Sequence, residues 1–234
     1  MNFRPLMLLA ALTAVALPAV DAFAGKDKDK SGEAAESKYP EIKTTAVEDF
    51  NPAFTKAKTI HDTLQATENN LTKVNTSLAA ALKLDQTTSL ETALTELKNK
   101  AGKKLTVAIE GGRVPKVSAQ DAVVPEVQTA IDTLNTSLTD LDKTLQDVEK
   151  LVPEVKGLVA EVAAFPAMIN PDIFKRNGVA TGDIPKVTKQ INSNIKAINA
   201  TPERLAAVTD LTMVTFGQVK AAFGDFGSEA DRFG

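Results

Sequence analysis

The sequence contains no cysteine. Disulfides, thiolate metal sites, thiol nucleophiles and lipid attachment through a cysteine are therefore excluded. It has no tryptophan, one tyrosine and one histidine. The side chains that most often carry acid–base chemistry, stack on nucleobases or anchor binding pockets are thus nearly missing. Acidic residues exceed basic ones only slightly, for a net charge of -3. Without a basic surplus, nucleic-acid binding is not expected. Long apolar runs are scarce as well: the longest, residues 6–17, falls short of the about 20 residues a membrane-spanning helix needs.

That run sits in an order typical of secretion. A single cation, Arg4, precedes it, Pro18 breaks it, and Ala22-Phe23-Ala24 places small residues where a signal peptidase cuts. Residues 1–24 therefore read as a signal peptide, cleaved after Ala24 or, as second choice, after Ala22; an uncleaved anchor is the competing reading. The mature chain is expected in the periplasm or outside the cell. Lacking disulfides there, it has to be held together by packing. Residues 25–46 are charged and poor in aliphatics, and are expected to form a flexible leader. Lysines between positions 26 and 38 allow weak electrostatic contact with an anionic membrane and no more.

What the sequence does have is helical periodicity. Residues 47–225 read as one helical-bundle domain, followed by a flexible tail at 226–234. Asn51-Pro52, Asn170-Pro171 and Thr201-Pro202 each pair a capping side chain with a proline suited to the first helical position, and Asp183 with Pro185 is a looser version. A first helix is expected over 52–84, its inner face formed by Ala57, Ile60, Leu64, Leu71, Val74, Leu78 and Ala81. The Asp-Gln-Thr-Thr-Ser run at 85–89 interrupts it, because such side chains bond their own backbone. A second helix follows at 90–100, with Leu90, Leu94 and Leu97 inward and Gly102 as its stop.

The longest pattern runs through Val127, Ile131, Leu134, Leu138, Leu141, Leu145, Val148, Val152, Val155, Val159 and Val162. The steps alternate four and three, a coiled-coil heptad with these residues at a and d. A continuous helix of this length is about 60 Å long. Leu151 and Leu158 widen the stripe, so partners on two sides are expected, hence an elongated antiparallel bundle rather than a lone coiled-coil dimer. Pro153 lies inside the pattern without shifting its phase, which predicts a kink and not a break. Phe165-Pro166 ends the helix. A short helix at 171–178 follows, then main helices over 185–200, with Val187, Ile191, Ile195 and Ile198 inward, and 202–223, with Leu205, Val208, Leu211, Val219 and Phe223 inward.

One stretch departs from this period. In residues 104–117, Leu105, Val107 and Ile109 alternate with Thr106, Ala108 and Glu110, and Gly111-Gly112 can reverse the chain ahead of Val114 and Val117. This reads as a small β-hairpin with Pro115 at an edge; a helix extended up to the glycines and a plain loop are the alternatives. The heptad helix is acidic and the segments flanking it are basic, so antiparallel packing would set opposite charges side by side, with an energy of only a few tenths of a kcal/mol per exposed pair.

Chemistry-bearing residues are few. His61 lies beside the first helix's inner stripe, next to Asp62, with no converging partner visible. Met168 and Met213 could join it as haem ligands, but no haem-attachment motif is present and no cofactor or metal site is expected. An enzyme would have to rely on carboxylates such as Asp172 or Asp183, which nothing marks. The Asp-Phe-Gly at 225–227 lacks the glycine-rich loop, lysine and catalytic loop of a kinase. Phe-Gly pairs begin at Phe216, Phe223, Phe226 and Phe233; they fit a fraying helix end or a partner-binding tail. Asn70, Asn75, Asn135 and Asn199 begin glycosylation-type triplets, and Asn-Thr-Ser-Leu occurs at both Asn75 and Asn135.

The function expected from this balance is that of an exported, non-enzymatic helical bundle that binds or scaffolds an unidentified protein or envelope component, with self-association open. A membrane-active or lipid-binding bundle, using residues 151–169, is the alternative, and an enzyme ranks third. No catalytic, cofactor-binding or metal-binding residue is assigned.

Overall fold

In the computed structural model, residues 41–223 are described. Residues 1–24, expected to be a signal peptide, most of the expected leader (25–46) and the expected tail (226–234) lie outside them. The chain is mainly helical with one small antiparallel hairpin. Its elements are α1 (Asn51–Ala81), α2 (Leu90–Ala101), β1 (Leu105–Glu110), β2 (Val114–Ala119), α3 (Pro125–Val162), the short α4 (Phe165–Met168) and α5 (Pro171–Arg176), and α6 (Ile184–Phe223).

Helices α1, α3 and α6 pack on one another along two apolar clusters. One holds residues 53–64 of α1, 148–162 of α3 and 187–198 of α6. The other holds residues 74–78 of α1, 127–145 of α3 and 216–223 of α6. Low numbers of α1 thus meet high numbers of α3 and low numbers of α6, so α3 runs against the other two. The heptad seam fills this interface. Val127, Ile131, Leu134, Leu138, Leu141, Leu145 and Val148 are essentially inaccessible to water, as are Val155 and Val162 beyond the proline.

α3 continues unbroken through Pro153. The ring is exposed, and the backbone bond it removes belongs to the carbonyl of Glu149, on the same wet side of the helix. Burial on the other face outweighs one lost bond.

The same reasoning corrects the expected break at Thr201-Pro202. α6 is one helix of 40 residues with Pro202 inside it. Instead of capping a new helix, the Thr201 hydroxyl donates to the carbonyl of Ala197 one turn back, at 3.1 Å. Pro202 is exposed, while residues on either side stay packed on α1 and α3. The inner face of the second half also differs from expectation. It is formed by Arg204, Val208, Thr212, Phe216, Val219 and Phe223, and Leu211 is 42% exposed. Val208, Val219 and Phe223 lie inward as expected and Leu205 packs half-buried against the core; counting aliphatics alone went wrong at Leu211 and missed the two polar positions, Arg204 and Thr212.

Asn51 is likewise not a cap. Its side chain binds the incoming chain, accepting from the Thr45 amide at 2.8 Å and donating to the Thr45 carbonyl at 3.0 Å. The end of the expected leader is therefore part of the fold. Ile42 and Val47 are buried, and Asn194 of α6 donates to the carbonyl of Lys43 at 2.6 Å. Next to them, Phe50, Phe54 and Phe165 form a cluster with ring centroids 4.6 to 6.2 Å apart.

Asn170 behaves as read, accepting from the amides of Asp172 and Ile173. Ser89, the last residue of the 85–89 interruption, caps α2: its hydroxyl accepts from the Thr92 amide. Gly102, at φ 65°, stops α2.

The hairpin forms where the alternation places it. Its register pairs Leu105 with Ala119, Val107 with Val117 and Ile109 with Pro115. Gly111 and Gly112 both have positive φ, 59° and 83°, a reversal that side-chain-bearing residues resist. At its tip Arg113 bonds Asp142 and Glu149 of α3, two acids one heptad apart. The ion pairs reaching acidic α3 come from Arg113 and, at Glu126, from Lys83 and Lys100.

Candidate functional site

Between the two apolar clusters the bundle has a polar layer. α1 contributes His61, Gln65, Thr67 and Glu68; α6 contributes Thr201, Arg204 and Thr212. Thr67, Thr201, Arg204 and Thr212 are buried. Arg204 donates from Nε to Glu68 Oε1 at 2.8 Å and from Nη2 to Glu68 Oε2 at 2.7 Å, a two-pronged pair, and from Nη2 to Gln65 Oε1 at 3.2 Å. The arginine side chain is 2% exposed and the glutamate 17%. Such a pair persists inside a protein because its hydrogen bonds answer the charge that burial strips of water.

His61 sits one turn away. Its Nε2 lies 2.9 Å from the Thr201 hydroxyl. That hydroxyl already gives its proton to Ala197, so the imidazole donates from Nε2 and is the neutral tautomer with Nδ1 bare. Burial, reinforced by the Arg204 charge, pushes its pKa down to about 4, while Asp62 and Glu68 pull weakly the other way. The ring is thus uncharged at neutral pH.

Sequence reasoning flagged His61 but missed Arg204 and Glu68. They are 136 positions apart, and each alone reads as a solvated charge. The faint signal was Arg204 itself, a cation on the inner face of α6.

The other flagged residues do not converge. Met213 is 47% exposed on the outer side of α6, 12 residues or about 18 Å along the helix from Thr201. Met168 belongs to α4, beyond the end of α3. Asp172 and Asp183 are both exposed on separate elements. Among the described residues no group of three or more histidine, cysteine or acidic side chains could hold a metal ion.

The repeated Asn-Thr-Ser-Leu has a structural use at each copy. Asn75 donates to the Thr88 carbonyl at 2.7 Å, clipping the loop after α1. Asn135 accepts from the Val117 amide at 2.9 Å and donates to its carbonyl at 2.8 Å, clipping β2 onto α3. Leu78 and Leu138, closing the two motifs, are fully buried. Between the motifs, Lys73, Ser77, Asp132, Thr136, Ser137 and Asp140 line an open groove of about 480 Å³. It can hydrogen-bond a polar ligand but encloses none.

One further surface stands out. On the side of α6 facing away from the core, Ala206, Ala207, Leu211, Met213, Val214 and Gly217 are exposed, and Asp210 is the sole exposed charge between Glu203 and Lys220. Leu211, Met213 and Val214 are 42 to 47% exposed.

The chain matches no protein-family model, no curated protein and no solved structure at a significant level. The site's own chemistry is therefore what bears on function. Its polar layer is committed to holding α1 against α6. Arg204 and Glu68 satisfy each other, and His61 is engaged with Thr201. The outer face of α6 keeps three large apolar side chains, Leu211, Met213 and Val214, exposed to solvent.

Proposed function

We propose that the protein is an exported, non-enzymatic helical bundle that binds or scaffolds another component of the cell envelope or exterior. The observation that carries this reading is the outer face of α6. The bundle's core is filled from its inner faces, yet this nearly uncharged strip around Leu211 and Val214 remains in water. Large apolar side chains grouped on one exposed helix side can mark an interaction site. The test is affinity capture from the native envelope with mature protein, compared with a Leu211→Asp, Val214→Asp double variant. A partner retained by the first and lost by the second supports the reading. Equal capture by both refutes the role of the face, and a cell in which the protein remains cytoplasmic with residues 1–24 attached refutes export.

The same face gives a lipid-binding reading its one support. Among the described residues no helix is long and apolar enough to cross a membrane. The segment first considered for insertion is committed inward, through Val155, Leu158, Val162 and Phe165. Interfacial attachment through α6 would show as salt-resistant co-flotation with neutral vesicles, abolished by the same double variant.

A further inference from the structure

One exposed stripe of α6 reads alike in both directions. Glu203, Ala206, Asp210, Met213, Gly217 and Lys220 follow one another at steps of three, four, three, four and three, so they share one side of the helix. All six are exposed. An acid stands at one end and a base at the other, with a small residue next to each. Among the described residues neither Glu203 nor Lys220 makes an ion pair within the chain. Leu211 and Val214, also exposed, lie beside the middle of the stripe. Gly217 is a separate observation. A glycine inside a helix is unfavourable next to alanine, and the chain's own packing does not call for one here: a Cβ at Gly217 would meet no other heavy atom within 4 Å. A bare backbone at this point serves a close approach from outside the chain.

We propose that this face of α6 packs on the same face of a second copy of the chain, antiparallel about a two-fold axis between Leu211 and Thr212. The inference rests on the reading of the outer face of α6 as a docking surface and names its occupant. Setting Glu203 opposite Lys220 of the copy puts Ala206 opposite Gly217 and Asp210 opposite Met213. Each half of the pair then has anion against cation at its end and a thin layer of alanine and glycine inside that. The large apolar side chains Leu211, Met213 and Val214 of both copies gather around the axis. The thin layers let the helix axes approach to the near end of the usual packing range, about 8 Å. A parallel pair would set Glu203 against Glu203 and Lys220 against Lys220 and lose the match. A two-fold contact uses the same face in both copies, so the assembly stops at two. Asp210 is the one unfavourable member, because it faces Met213 and stands within a turn of Asp210 of the copy. With that penalty, and one helix face from each copy as the interface, a dissociation constant on the order of tens of micromolar is expected.

Sedimentation velocity of the mature protein from about 1 to 200 µM reads the equilibrium directly. The wild type should move from monomer to dimer across that range. Lys220→Glu should weaken the dimer about tenfold, because two ion pairs become two repulsions. Adding Glu203→Lys should restore association by reversing both charges. Asp210→Asn should tighten it several-fold. Gly217→Gln introduces a better helix former with open space in its own chain, so it should raise the thermal midpoint of the monomer while abolishing the dimer. All of these positions are exposed, and helical content by circular dichroism checks that each variant folds. Because the chain lacks cysteine, Gln218→Cys can be spin-labelled at one place. The antiparallel register offsets the two labels by about 20 Å along the helices, whereas a parallel one sets them side by side. A wild type that remains monomeric at the highest concentration overturns the proposal; an envelope partner still captured by it and lost by Leu211→Asp, Val214→Asp would leave the docking reading standing. A dimer that ignores Lys220→Glu and Gly217→Gln, or one whose labels lie side by side, overturns the proposal as well.

Discussion

Replacing Glu68 with alanine removes the carboxylate that receives two hydrogen bonds from Arg204, whose side chain is 2% exposed. Breaking one partner out of a buried pair costs about 3–5 kcal/mol, most of it the penalty of a charge left away from water. The glutamate here is 17% exposed, and Gln65 still accepts from the guanidinium, so the lower end, about 3 kcal/mol, is expected. A domain of this size is stable by about 5–15 kcal/mol, so the variant should fold but unfold much earlier. With a urea dependence of about 2–3 kcal/mol per molar, the midpoint should fall by about 1–1.5 M. Circular dichroism at 222 nm is the right probe, since there is no tryptophan to report by fluorescence. The companion experiment replaces both partners, Glu68→Leu with Arg204→Met. That variant should come within about 1 kcal/mol of wild type or exceed it, because the buried charge has gone along with its partner. A Glu68→Ala midpoint indistinguishable from wild type would refute the reasoning: it would mean that water reaches Arg204 and that the layer is not sealed.

Two further outcomes follow from the same structure. His61 has its folded pKa lowered to about 4 from an ordinary 6.5, so as pH falls below 6.5 the unfolded chain takes up the proton first; the stability contributed by neutral His61 is full above 6.5 and lost as pH drops through about 4. Discounted for partial exposure, the loss is about 1–2 kcal/mol, and urea midpoints at pH 7 and 4.5 should differ more for wild type than for His61→Gln, which keeps a donor for Thr201. In the seam, Leu141→Ala or Leu145→Ala should each cost about 2–5 kcal/mol, and Val152→Ala, at a half-buried position beside Pro153, distinctly less; leucine variants with wild-type midpoints would place the seam in water.

Much of this fold could be read from local pattern. The seam was legible because burial of one helix face imposes a period, and α3 keeps that period across Pro153. Asn170 and Gly102 were legible because caps and stops act within a turn. The hairpin was legible from its alternation and paired glycines. What failed depended on partners distant in sequence. Asn51 looked like a cap but binds Thr45, and Thr201-Pro202 looked like a start but lies inside α6, held by contacts to α1. The polar layer was half legible: His61 could be singled out by rarity, whereas the pairing of Arg204 with Glu68 exists only once α1 and α6 lie side by side. The clip from Asn135 to Val117 was hidden in the same way, behind a triplet that resembled a glycosylation signal.

The polar layer also decides the alignment of the bundle. Aliphatic rows spaced three and four residues apart look much the same from one turn to the next. If α6 slid along α1 by a single turn, leucines, isoleucines and valines would meet other aliphatic side chains and little apolar burial would be lost. The slide would, however, carry Arg204 about 5.4 Å from Glu68 and set a bare guanidinium among apolar neighbours. It would also part His61 from Thr201. The apolar clusters hold the helices together with almost no preference for where along their length they stop. The few polar groups between them turn that ladder of near-equal arrangements into one, much as a key on a shaft fixes a wheel that friction alone would let turn.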